Sequence, residues 1–210
     1  MKKILKWAAL GFVGLVILGA IIGGGGSNDS GSGDSAKSAS GKSDSGKSGD
    51  GESSCGIEAT DDCTPRVRMG RKVRVDALIW DVTAVEVKDQ IGDTQYGLGE
   101  KADGRFVVVS LTVHSDRDES ATITSEQIKL DIGGNTYDPD LDGTIAALGE
   151  GAEPLWYEDI GPDSTVRSMV VFDVPPSKLR KKLALRFGEL GFGETHGYIE
   201  IPSAEITGLP

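Results

Sequence analysis

Between Val73 and Ile201 the apolar residues of this chain recur mostly at every second position, and a period of two restricts the segment to half-buried strands. Val73, Val75, Ala77 and Ile79 alternate with polar or charged neighbours, and Val82, Ala84, Val85 and Val87 continue the pattern. Over residues 105–114 (RFVVVSLTVH) one face carries Val107, Val109, Leu111 and Val113. The other mixes Phe106 and Val108 with Ser110, Thr112 and His114, which predicts a central strand. Ile128, Leu130 and Ile132 run into the turn formers Gly133, Gly134 and Asn135; Val170, Phe172 and Val174 stop at Pro175 and Pro176. Leu183, Leu185 and Phe187 follow, and residues 198–201 make a last strand before Pro202. Six or seven short strands separated by Gly, Pro and Asn turns predict an all-β, antiparallel two-sheet sandwich around one core. No segment after residue 65 predicts an amphipathic helix, although Ser177 is placed to cap a turn over residues 178–181.

That domain, residues 65–210, is long enough to bury a sizeable core by itself. What precedes it is of another kind. Residues 23–54 contain no large apolar side chain, only Gly, Ser, Ala, one Asn and charged residues, so they cannot bury enough surface to offset chain entropy. They predict a disordered linker, 23–64, that ends in a small Cys loop and reaches on the order of 30 Å as a Gly/Ser coil. Residues 7–22 are uncharged and apolar, and Ile4 and Leu5 extend the stretch past Lys6. As a helix, residues 4–22 would span about 28 Å, close to the hydrocarbon thickness of a bilayer. Residues 1–22 are therefore expected to be a transmembrane helix. Lys2, Lys3 and Lys6 precede it and no further Lys or Arg follows until Lys37, which keeps the N-terminus cytoplasmic and sends the domain outward. A cleaved signal peptide has the same features. Ile22 stands where a cleavage site wants a small residue, whereas Gly23 and Gly25 would serve, so secretion after cleavage is the alternative to a single-pass anchor.

Cys55 and Cys63 are the only cysteines, and in an oxidising compartment two thiols this close pair as a structural disulfide. Seven intervening residues do not give the Cys-x-x-Cys spacing of a redox site. Two matches in the linker carry little. Gly41 followed by Gly46, Lys47 and Ser48 has the letters of a phosphate loop without the strand and helix that such a loop needs. Asn28-Asp29-Ser30 is a formal glycosylation sequon.

The run 106–113 (FVVVSLTV), then Leu130-Asp131 with Gly134 and Tyr137, then Gly161-Pro162-Asp163 leading into 170–175 (VVFDVP), resembles the bacterial family of secreted or membrane-anchored immunoprotective-antigen-like domains. The resemblance covers about residues 68–207. It implies an immunoglobulin-like β-sandwich behind a membrane or signal segment and a low-complexity linker, with no catalytic motif and no known function. His114 departs from the small polar Asn common at that position.

The remaining residues offer several candidates for chemistry. Asp138, Asp140 and Asp142 followed by Gly143 match the opening of a calcium loop, in which alternate carboxylates converge on one hard cation. The twelfth position is Gly149 instead of a bidentate Glu, so calcium is the possible cofactor only through a weak extracellular site. His114 and His196 have no partner spacing that suggests a zinc site or a hydrolase triad. Acidic pairs such as Asp116 with Asp118 are read as solvated charges. Trp156 and Tyr157 are placed either as an aromatic platform or as core residues. Residues 65–210 hold sixteen Lys and Arg against twenty-five Asp and Glu, an acidic balance that argues against nucleic acid. Within it stand two basic clusters: Arg66, Arg68, Arg71, Lys72 and Arg74, and Lys178, Arg180, Lys181, Lys182 and Arg186. If the fold joins them they would suit an anionic envelope polymer; taken separately they are solvated faces. The expectation is a non-enzymatic binding or interaction module on a membrane tether, its partner an envelope polymer or a protein. The alternatives are a calcium-dependent envelope or adhesion domain and an extracytoplasmic hydrolase.

Overall fold

The computed structural model describes residues 55–149, 151–191 and 193–209. The expected membrane segment, the linker up to residue 54, the sequon and the phosphate-loop match lie outside these residues. Among the described residues no helix is long and apolar enough to cross a membrane.

The chain enters through the disulfide Cys55–Cys63, whose Cα atoms are 5.7 Å apart. This loop is docked on the domain: Ala59 N donates to Arg74 O at 2.8 Å and Arg74 N donates to Ile57 O at 2.7 Å. Strands β1 (Arg66–Arg68) and β2 (Val73–Val75) follow, then the long β3 (Leu78–Asp93) and β4 (Leu98–Ser115). The expected continuous alternation from Val73 to Ile79 is broken. Asp76 (φ 46°) and Ala77 (φ 59°) both adopt left-handed backbone and turn the chain back, pairing Val73 with Trp80 and Val75 with Leu78. A two-residue hairpin turn of the primed kind requires that conformation. The turn also inverts the parity, so Leu78 and Trp80 are buried in place of Ala77 and Ile79. A register shift between Val82 and Ala84 inverts it again, and Val85 and Val87 point inward.

β5 (Ala121–Thr122) and β8 (Asp159–Ile160) form a two-stranded ribbon. β6 (Ile128–Ile132), β7 (Asn135–Tyr137), β9 (Thr165–Val174), β10 (Leu183–Gly188), β11 (His196–Ile201) and β12 (Ile206–Thr207) complete the strands. One sheet runs β1-β11-β10-β6-β7; the other runs β12-β3-β4-β9, with β2 also paired to β3. The two sheets bury one apolar core in which Trp80 stacks on Phe187, ring centroids 4.6 Å apart. The structure is thus an all-β sandwich. Two edge pairings, β1 with β11 and β12 with β3, are parallel, unlike the antiparallel remainder. Neither pair is joined by a hairpin, so its direction is not dictated by a turn.

β4 lies between β3 and β9, the central position expected for it. Its inner face is Val107, Val109, Leu111 and Val113; on the outer face Phe106 and Val108 are also buried. What covers them is α1 (Leu141–Leu148), a two-turn helix absent from the sequence expectation. Asp140 caps it, and Gly143 lets it approach so closely that an added Cβ would meet Val171 and Phe106 side chains at 3.0 and 3.1 Å. Asp140 N donates to Val171 O at 2.7 Å and Thr144 Oγ1 accepts from Val171 N at 3.0 Å, so the segment also satisfies the outer edge of β9. Ser177 falls within a 3-10 turn, Pro176–Lys178, instead of capping a turn over 178–181.

Candidate functional site

The two basic clusters, more than a hundred residues apart in the chain, meet. In β1 the exposed, buried, exposed pattern puts Arg66 and Arg68 on the outer face while Val67 enters the core. Pro175 ends β9, the 3-10 turn reverses the chain, and buried Leu179 anchors it, leaving Arg180, Lys181 and Lys182 exposed before β10. Parallel pairing sets β1 beside β11, and β11 pairs with β10, so the five cations line one groove of about 640 Å³. Leu183, Ala184, Ile201 and Ile206 are among its apolar walls, and the Gly133–Gly134 turn closes one side. Gly133 (φ +54°) carries no side chain where the stem of Lys181 lies. The acids in the groove are Asp131 and Glu200. Glu200 is 3.8 Å from Arg66, whose guanidinium also covers the Tyr198 ring at 3.8 Å. In a chain of net charge −11 this groove has a local excess of positive charge.

Arg186 and Arg74, from the same two clusters, lie elsewhere. Arg186 lines a separate depression with Glu126, Glu189 and His196. Arg74 pairs with Asp116 at the far end of the sandwich, where three loops converge on His114. There His114 Nε2 lies 2.8 Å from Asp116 Oδ1 and 3.7 Å from Asp163 Oδ1, and His114 Nδ1 lies 2.9 Å from Thr165 Oγ1. The Arg74 guanidinium, hydrogen-bonded to Asp116, holds its carboxyl below the usual carboxylate range against some opposition from burial, with His114 adding to the shift. Arg117 bonds Asp76 and Glu119 at 3.3 and 3.0 Å. The two places lie at opposite ends of β10: Trp80, next to Ile79 that pairs with His114, stacks on Phe187, while the groove lies at Leu183.

A family described as Domain of unknown function (DUF4352) matches residues 67–196, well over half of the chain. The chain belongs to this family. That agrees with the resemblance to secreted or anchored β-sandwich domains of unknown function. Among solved structures, a conserved hypothetical protein from Bacillus anthracis is similar at 17% identity with a TM-score of 0.45, covering 57% of this chain and 87% of its own. A secreted protein from Mycobacterium tuberculosis, MPT63, is similar at 17% identity and a TM-score of 0.44, with 65% and 97% covered. An uncharacterised β-sandwich protein from Clostridium difficile is similar at 14% identity and a TM-score of 0.43, with 65% and 93% covered. No curated protein sequence matches the chain.

Within this DUF4352 domain the three aspartates of the calcium-loop motif have separate tasks. Asp138 accepts from Lys129 Nζ at 2.7 Å, Asp140 accepts from Gly143 N at 2.7 Å as the helix cap, and Asp142 sits exposed in the first turn of α1. The Asp-x-Asp-x-Asp-Gly pattern is here the start of a helix, where carboxylates complement the orphan N–H groups. Burial works against the Lys129 ammonium, yet hydrogen bonds to Asp138 and Glu126 hold its pKa above the ordinary lysine value. Among the described residues, the three carboxylate or imidazole groups with ligand atoms all within 4.8 Å of one another are His114, Asp116 and Asp163. No sequence spacing announces them, since Asp163 reaches His114 only through the pairing of β4 with β9. Trp156 packs partly buried against the core, whereas Tyr157 stays 61% exposed.

Proposed function

We propose that this DUF4352 domain is a non-enzymatic binding module of immunoglobulin-like build, tethered to the membrane by the apolar segment of residues 4–22 and held outside the cytoplasm on its Gly/Ser linker. Its partner is an anionic envelope polymer taken up in the basic groove. The observation that supports this most is the convergence of Arg66 and Arg68 with Arg180, Lys181 and Lys182 on one groove with an apolar floor, in a chain that is otherwise acidic. Alternate residues on a strand stand on the order of 7 Å apart on one face, so Arg66 and Arg68 offer two positive charges in line, as a repeating polyanion requires. The acidic remainder repels polyanions elsewhere and leaves the groove as the favoured docking place.

The test uses the full chain, reconstituted in phosphatidylcholine nanodiscs and titrated with fluorescent inorganic polyphosphate. Four phosphate contacts on a flexible polyanion predict about fifty-fold weaker binding on going from about 50 to 200 mM salt. The variant Arg180→Gln/Lys181→Gln/Lys182→Gln is expected to bind at least tenfold more weakly and to show a shallower salt dependence. Absence of binding, or equal binding by the variant, contradicts the groove. Protease accessibility of the C-terminus in whole spheroplasts tests the compartment separately: digestion supports an outward domain and protection contradicts it.

A further inference from the structure

We propose that His114, Asp116 and Asp163 form a binding site for a zinc-class divalent ion, with one coordination position left open to water or to an incoming ligand. This stands apart from the groove and does not depend on it.

A tetrahedral ion with bonds of about 2.0–2.1 Å to nitrogen and oxygen holds its ligand atoms about 3.3 Å apart. His114 Nε2 is 2.8 Å from Asp116 Oδ1 and 3.7 Å from Asp163 Oδ1, values on either side of that separation. Small rotations of exposed side chains suffice to admit the ion. The backbone holds the ligands in place. His114 is the cross-strand partner of Thr165 at the end of the β4 and β9 ladder, Ser115 N donates to Ser164 O at 2.9 Å, and Asp116 N donates to Ala77 O at 2.9 Å. Asp163 sits in left-handed backbone (φ 49°), a conformation uncommon for a non-Gly residue. Ser164 Oγ donates to Gly161 O at 2.6 Å and braces that turn.

The surrounding groups are those a metal centre needs around its ligands. Thr165 Oγ1 lies 2.9 Å from His114 Nδ1 and orients the ring so that Nε2 faces the carboxylates, where an arriving ion would take the place of a proton on that nitrogen. Arg74 occupies one oxygen of Asp116 and leaves Oδ1 toward His114. Arg117 is engaged by Asp76 and Glu119. With the imidazole neutral, as a metal ligand must be, the two carboxylates and Arg74 sum to a single negative charge, which a divalent ion reverses without excess. The donor set of one imidazole and two carboxylates suits zinc and its first-row neighbours; calcium prefers six to eight oxygens and gains little from imidazole. Side-chain exposures of 31% for His114 and 93% for Asp163 give the ion a direct entry.

The experiment is calorimetric titration of the untagged full chain in phosphatidylcholine nanodiscs with zinc chloride in a non-chelating buffer, followed by cobalt substitution and visible absorption. The expected result is one zinc per chain and the absorption of four-coordinate cobalt. Asp163→Asn keeps the side-chain shape and tolerates the left-handed backbone; it is expected to weaken zinc at least tenfold, and His114→Gln to abolish binding. His196→Gln and Asp138→Asn serve as controls and should bind as the parent does, with calcium failing to compete. No zinc uptake, or uptake that Asp163→Asn and His114→Gln leave unchanged while their thermal unfolding matches the parent, overturns the proposal.

Discussion

The two ends of the sandwich handle charge in opposite ways. At the His114 end, residues from β2, β4 and the adjoining loops pair locally: Arg74 with Asp116, and Arg117 with Asp76 and Glu119, with His114 lying between Asp116 and Asp163. At the groove end, five cations from two distant segments gather around two acids. Charges that satisfy each other locally contribute to holding loops in place, whereas an excess of like charge on a surface costs the fold something that an oppositely charged partner would offset. On the two proposals above, the first end suits a small ion and the second a large polyanion.

The sharpest way to break this comparison is to attack what the ends share. Trp80→Ala removes the ring stacked on Phe187 and should cost about 3–5 kcal/mol in urea unfolding. Zinc and polyphosphate binding should disappear over the same range of urea; survival of one after the other would mean two independent units. A smaller change should separate the ends. Replacing Cys55 and Cys63 by Ser opens a loop docked on the backbone of Arg74 and should cost up to about 2.5 kcal/mol. Amide exchange should quicken around Arg74 and Asp116 and stay unchanged at residues 180–184.

Next in size is Arg74→Gln. Because Arg74 depresses the pKa of Asp116 below 3.8, the stabilisation is present above that value and is lost as pH falls through the lower folded value. Unfolding of parent and variant with chelator present should therefore differ near neutral pH and converge in strong acid; a gap that persists in acid would mean that Arg74 acts by packing. The smallest effect belongs to the groove. Arg180→Gln/Lys181→Gln/Lys182→Gln should leave stability within about 0.5 kcal/mol, since all three side chains are exposed.

How much of this was legible in the sequence depended on the range of the interactions involved. β4 and β10 could be read because their period of two is set by residues close in the chain, and the hydrophobic face is the same one the fold buries. The turn at Asp76-Ala77 could not: Val73, Val75, Ala77 and Ile79 look like one strand, and only the pairing of Val73 with Trp80 reveals the reversal. α1 escaped for a related reason. Its buried residues are Gly143 and Thr144, which carry little hydrophobic signal, and its stability comes from the face of β4 and β9 it covers. The letters of a calcium loop were visible, but nothing local distinguishes a cation ligand from the cap of that unseen helix. The basic clusters were legible as clusters; their meeting depended on parallel pairing between β1 and β11. His114 and Asp163 were visible only as isolated residues, because what joins them is the register of two strands.

The division of labour between the ends can be measured in one experiment, hydrogen exchange of the full chain in nanodiscs, alone, with zinc and with polyphosphate. Polyphosphate should slow exchange at residues 66–68, 131–134 and 180–184 without touching 114–116 and 161–165, and zinc should do the reverse. Protection of the His114 end by polyphosphate, or of neither end by either ligand, would contradict the assignment of two chemistries to two ends.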